Sequence, residues 1–136
     1  MRRIVLDTNC LLMTLPSRSP FNRIWTDILE GQTEVCVSTE ILNEYEEILC
    51  MRTTPELAQA VVQVLLSLPN IIKVTPTFFF NLIESDPDDN KFVDCAICGS
   101  AELIVTNDSH FNVLKQINFP HIEVKTIQEY IVGLRG

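Results

Sequence analysis

The stretch DPDDNKFVDCAICGSAELIVTNDSHF, Asp86 to Phe111, holds a turn, a helix, a strand and a second polar turn in succession. Asp86-Pro87-Asp88-Asp89-Asn90 has the composition of a turn that starts a helix, with Asp88 or Asp89 as N-cap and further acids in the first turn, where the macrodipole favours them. Phe92 to Cys98 is apolar at every position but Asp94. An ionised carboxylate among buried side chains is costly unless something positive pairs with it, and the nearest base in sequence is Lys91, one turn back. Capping accounts for Asp88 but not for Asp94, which shares a helix face with Asn90. Gly99 to Ala101 ends the helix. Leu103 to Thr106 then reads as a buried strand, followed at once by Asn107 and Asp108. Acids at the ends of buried elements, without matching bases, point to a bound cation.

Working outward, the same alternation continues. Arg3 to Leu6 is a short β-branched run of central-strand type that ends in Asp7-Thr8-Asn9, residues that start a turn or cap a helix. Phe21 to Leu29 has helical spacing stopped by Gly31, and Glu34 to Ser38 reads as a second strand. The next helix carries Ile41, Leu42, Tyr45, Ile48 and Leu49 on one stripe, with Glu44 on or beside it; Glu44 is either a surface charge at the stripe's edge or a ligand. Thr53-Thr54-Pro55-Glu56 starts another helix, through a Thr53–Glu56 capping box or through Thr54 with Pro55 in the first turn. Strands follow at Ile71 to Val74 and His121 to Lys125, with a short helix through Phe111 and Leu114 between the last two strands and a final helix capped by Thr126. Phe78-Phe79-Phe80 is either core or an exposed patch used by a partner. Strands alternating with helices over 136 residues imply one α/β domain, residues 1–136, with a mostly parallel sheet flanked by helices.

Composition narrows the function. A hydrophobic fraction of 46% excludes a disordered chain, and no apolar run approaches the roughly 20 residues of a membrane span. Asp7 interrupts the N-terminal apolar run too early for a signal peptide, so the expected location is the cytoplasm. The five cysteines are odd in number and mostly within apolar runs, as reduced core residues are; Cys95-x-x-Cys98 lacks a second pair or a nearby His pair to complete a zinc site. A net charge of −8 excludes a surface that coats nucleic acid. It does not exclude a nuclease, because acids that converge on divalent cations reverse the local field.

In a parallel sheet, Asp7, Glu44, Asp94 and Asp108 can meet at one edge, beside the strand ends where sites are built. Hard oxygen ligands suit Mg²⁺ or Mn²⁺, ions that activate water and stabilise charge on a phosphodiester. The spacing supports an acidic metal pocket and does not name its substrate.

IVLDTN (Ile4 to Asn9), STEILNEYEEIL (Ser38 to Leu49) and DPDDNKFVDCAICGSAELIVTND (Asp86 to Asp108) together resemble a PIN domain, a three-layer α/β sandwich. More narrowly they resemble its toxin branch, related to the VapC toxins of bacterial toxin–antitoxin pairs. The resemblance implies a metal-dependent ribonuclease, with Asp7 matching the first acid, Glu44 the second and Asp108 the last. Many family members carry a third Asp eighteen residues before the last, where this chain has Asn90. Asp94 is expected to supply the missing carboxylate, with Asn90 as a neutral ligand or positioning group and Asp89 in reserve. Thr8, Asn9, Thr106 and Asn107 are expected to orient the carboxylates. The resemblance also implies RNA as substrate, an antitoxin protein as partner and a homodimer. A phosphatase of the type that begins with an Asp after the first strand would need a second Asp at Asn9, and a signalling receiver would need a phosphorylatable Asp after the third strand, where Ile72-Lys73-Val74-Thr75-Pro76 offers none. A PIN fold that binds RNA or a partner without cutting remains the alternative, as does a housekeeping RNA-processing nuclease.

Overall fold

A strand covered on both faces reads as an unbroken apolar run, and β1 (Arg2–Leu6) ends in three such residues: Ile4, Val5 and Leu6 are at most 1% exposed. The structure, a computed structural model, describes residues 2–135. From β1 the chain runs through α1 (Thr8–Thr14) and α2 (Asn22–Leu29) to β2 (Thr33–Val37), then through α3 (Thr39–Arg52) and α4 (Pro55–Ser67) to β3 (Ile71–Lys73). A long segment without helix or strand leads to a 3-10 turn at Pro87–Asp89 and to α5 (Asn90–Cys98). Next come β4 (Leu103–Val105), a 3-10 helix at Ser109–Gln116, β5 (Glu123–Lys125) and α6 (Ile127–Arg135).

The five strands are all parallel, in the order β3-β2-β1-β4-β5, and helices flank the sheet. The chain thus winds outward from β1 to β3, returns to the other side of β1 at β4, and ends at β5. The direction reverses between β1 and β4, which pair through Ile4 with Leu103 and Leu6 with Val105. Open parallel sheets place their sites beyond the carboxyl ends of the strands at such a reversal. Asp7 and Asp108 follow these two strands.

The helix starts follow from side-chain capping. Ser38 Oγ accepts from the Ile41 N–H, and Thr54 Oγ1 accepts from the Leu57 N–H with Pro55 behind it, so the Thr53 box is not used. Thr126 and Glu129 cap α6 reciprocally, at 3.1 and 2.8 Å. Asp7 caps α1, the second of the two roles its Asp7-Thr8-Asn9 pattern allows. One expectation needs correction in part. Asp86, not Asp88, caps the 3-10 turn, accepting from the Asp88 N–H; Asp89 holds the capping position of α5 but its carboxylate makes no capping bond. Residues 78–80 lie in the irregular segment, with Phe78 and Phe79 exposed and the rings of Phe78 and Phe80 6.3 Å apart. Cys10, Cys36 and Cys95 are buried, and the cysteines are free. No helix among the described residues is long and apolar enough to cross a membrane.

Candidate metal centre

The backbone just before Asp7 is held on two sides. The buried Tyr45 hydroxyl donates to the Leu6 carbonyl at 2.5 Å, and the Asp7 N–H donates to the Val105 carbonyl at 3.0 Å. Asp7 then aims its carboxylate across the β1–β4 reversal. Its Oδ1 accepts from the Thr8 N–H at 2.7 Å and its Oδ2 from the Thr106 hydroxyl at 2.7 Å. The same Thr106 oxygen accepts from the Asp108 N–H at 3.0 Å, so one hydroxyl ties both strand ends together. Burial pushes the Asp7 carboxyl above its ordinary range; the Thr106 and Thr8 bonds oppose this, and the charges of Glu44 and Asp108 add to it.

Opposite, the 3-10 turn and the start of α5 deliver Asp86 and Asp89. Asp86, Asp89, Asp108 and His110 each offer a ligand atom, and these atoms all lie within 4.8 Å of one another. His110 Nδ1 sits among the three carboxylates, 3.2 Å from Asp108, 3.7 Å from Asp89 and 3.8 Å from Asp86. Asp89 bears the strain. Its Oδ2 is buried and has no hydrogen-bond partner among the described residues. Burial, the facing Asp108 and Asp86, and the more distant Asp7 push its carboxyl up to about 7. A buried, unpaired carboxylate oxygen facing like charges is what a divalent cation would relieve, and carboxylate oxygens with one imidazole form a donor set that holds such an ion.

The other expected residues divide. Thr8 and Thr106 do orient acids, since the Thr8 hydroxyl donates to Glu44 and Thr106 holds Asp7. Glu44 is anchored beside Asp7 by that bond and by Lys91, whose Nζ is 2.6 Å from Glu44 Oε1. Lys91 therefore pairs with Glu44 and, at 3.8 Å, with Asp88, and not with Asp94. Asn107 orients no carboxylate: its Oδ1 accepts from the Ile127 N–H. Asn9 is exposed and makes no side-chain hydrogen bond among the described residues.

Asp94 and Asn90 are not in the converging group. Five residues on an α-helical backbone turn by about 140°, so Asp94 cannot face the way Asp89 does. It shares the face of Asn90, and both serve the irregular segment: Asn90 exchanges two 2.9 Å bonds with the Ile83 backbone, and Asp94 Oδ1 accepts from the Phe80 N–H at 3.0 Å. Asp86 and His110 were not singled out from the sequence. The Asp-x-His spacing of Asp108 and His110 was the available signal for the histidine; its approach to Asp86 and Asp89 is tertiary.

A family model described as a PIN domain matches residues 3–110. The chain belongs to the PIN domain family. Two solved structures share the fold of this PIN domain. VapBC2 from Rickettsia felis, bound to a DNA fragment from their promoter, is 18% identical with a TM-score of 0.62, over 91% of this chain and 98% of that one. DNA-bound VapBC from Salmonella typhimurium is 19% identical with a TM-score of 0.58, over 93% and 99%. No curated protein matches the sequence.

Proposed function

We propose that this PIN domain is a metal-dependent endoribonuclease and the toxin of a toxin–antitoxin pair. The observation that carries the reading is the buried, unpaired Asp89 oxygen facing Asp86 and Asp108 at the sheet's reversal point. The residues that would hold the ion are Asp7, Asp89 and Asp108, with Asp86, His110 and Glu44 at the margin. Mg²⁺ or Mn²⁺, when bound, polarises a water and the phosphodiester.

The chain's own residues do the rest. Thr106 and Thr8 fix the Asp7 carboxylate, so no reorientation is needed as charge develops. Thr106 also sets the Asp108 backbone. Lys91 and Thr8 hold Glu44 close enough to Asp7 for its charge to be felt there. The third carboxylate passes from Asp94 to Asp89, and Asn90 is committed to the Ile83 backbone. With a net charge of −8 the surface repels a phosphate chain, so RNA approaches productively only where cations have reversed the field. The two structural neighbours are VapBC complexes, which supports an antitoxin partner for this chain. We extend the reading to a single domain over residues 1–136, acting in the cytoplasm as a homodimer.

The test is cleavage of a random-sequence RNA pool by purified protein in Mn²⁺, Mg²⁺ or EDTA. Cleavage is expected to require metal and to fall about 100-fold or more in Asp7→Asn and in Asp89→Asn. Mn²⁺ binding without cleavage of any RNA would instead establish a PIN fold that binds without cutting.

A further inference from the structure

Beside the acids, a cavity of about 290 Å³ opens between residues 76–81 and the first turns of α5. Glu40, Phe79, Asn81, Asp88, Lys91 and Asp94 are among its lining residues. Its buried wall is polar. Asp94 is only 4% exposed, its Oδ1 is taken by the Phe80 N–H, and its second oxygen has no hydrogen-bond partner among the described residues. Its rim is aromatic, because Phe79 is 66% exposed. The loop between is pinned at both ends, at Phe80 by Asp94 and at Ile83 by Asn90, with Asn81 held at φ 51°. With one oxygen engaged by the loop, the other oxygen of this cavity-lining carboxylate is free to accept from a ligand's N–H.

We propose that this cavity is a base pocket, taking one unpaired guanine of the RNA next to the scissile phosphate, stacked on Phe79 and read by Asp94 Oδ2. The proposal rests on the ribonuclease reading above. A carboxylate only accepts, so the occupant's edge must donate, and guanine presents N1–H and N2–H₂ side by side. Its O6 acceptor lies on the same edge, where Lys91 and Asn81 can donate to it. An arginine of a protein partner would match Asp94 but carries no acceptor, and Lys91 would repel it. A phosphate is refused by Glu40, Asp88 and Asp94. Unpaired bases stacked on aromatic side chains and bonded along their edges are how RNA sequence is read, and the volume, near the lower limit of roughly 300 Å³ for small-ligand pockets, suits a single base. Position supports the assignment too. Asp88 and Asn90 flank Asp89 in sequence and line the cavity, and Lys91 touches both the cavity and Glu44.

Two measurements test this. In the first, the protein is titrated without metal with guanosine, inosine and uridine, and separately with an oligo-arginine peptide, following backbone amide resonances. Guanosine is expected to shift the Phe80 and Asn81 amides, inosine to bind about tenfold more weakly for want of its amino group, and uridine not to bind. In the second, Mn²⁺-dependent cleavage is mapped on RNAs carrying guanosine or inosine at single positions. Wild type is expected to prefer guanosine about tenfold at one position beside the cut. Asp94→Asn keeps an acceptor for Phe80 and is expected to lose that preference while binding Mn²⁺ with unchanged affinity. Phe79→Ala, on the exposed rim, is expected to weaken guanosine binding roughly tenfold. Cleavage with no base preference in wild type would overturn the pocket and leave the nuclease standing. Guanosine binding without any cleavage would do the reverse. Amide shifts with the peptide but with no nucleoside would overturn the pocket in favour of a protein partner.

Discussion

Asp89 is where structure and chemistry conflict most openly. Its carboxylate sits at the capping position of a helix it does not cap, beside Asp86 and Asp108, with one oxygen buried and unpaired. With its carboxyl pushed up to about 7 from an ordinary 3.8, the unfolded chain releases this proton first as pH rises, while the folded chain keeps it. Between those values the native state binds more protons, so stability falls across the window, and above about 7 the full penalty is present. Burial raises Asp7 in the same direction. In EDTA the protein is therefore expected to melt higher at pH 5 than at pH 8. Asp89→Asn removes the charge and keeps the shape, and is expected to stabilise the metal-free protein at pH 8 by on the order of 1 kcal/mol, with little effect at pH 4. Thermal melts of both proteins across this range check it; a variant destabilised equally at both pH values would mean the carboxylate is held by partners rather than against them. The sequence favoured Asp94 as the third acid, with Asp89 in reserve, because the local pattern does not reveal the 3-10 turn at Pro87–Asp89 that brings Asp89 beside Asp86 and Asp108.

At the scale of elements, α5 explains both what could be read and what could not. Its apolar run and its stop at Gly99 were legible, since Phe92, Val93, Cys95 and Ala96 are all buried against the sheet. The alternation of strands was legible for the same reason: a strand covered on both faces has no polar face to blur its pattern. The acids after β1 and β4 were legible because a polar residue that ends a buried strand has few places to go. The direction of the Asp94 side chain was not, because an isolated acid in an apolar helix looks alike whether it serves a metal, a loop or a ligand. Gly99 adds a constraint invisible in sequence. A Cβ there would lie 2.7 Å from Val74 Cγ2, 2.9 Å from Cys36 Sγ and 2.9 Å from the Cys95 carbonyl, so α5 can lie this close to β2 only with glycine at its end. The Gly99 carbonyl also receives the Arg3 guanidinium at 2.9 Å, tying the helix end to β1. Gly99→Ala is expected to cost about 1–3 kcal/mol in urea unfolding, and an unchanged midpoint would mean the helix end shifts freely.

The whole molecule is organised so that its centre cannot form in part. Asp7, Asp89 and Asp108, the residues proposed to hold the ion, come from the ends of β1 and β4 and from the start of α5, and the parallel crossover that returns the chain from β3 to β4 brings these elements to one end of the sheet. The unfolded chain has no such arrangement, so a cation that binds here binds the native state almost alone. Ligand binding of that kind stabilises by mass action, about 2.7 kcal/mol at a hundred times the dissociation constant, which for a domain of this size is roughly a 10 °C rise in melting temperature. The rise is expected with Mn²⁺ at pH 8 and not with K⁺ at equal ionic strength, because bulk screening alone would treat the two as salts. It is expected to shrink by more than half at pH 5, where the proton held by Asp89 competes with the ion. Asp89→Asn should lose most of the pH 8 shift although it starts from the more stable protein, so the two melting curves in Mn²⁺ are expected to cross relative to those in EDTA. A variant that kept the full shift would place the ion elsewhere, and the case for Asp89 as the third carboxylate would fail whatever the RNA assays showed.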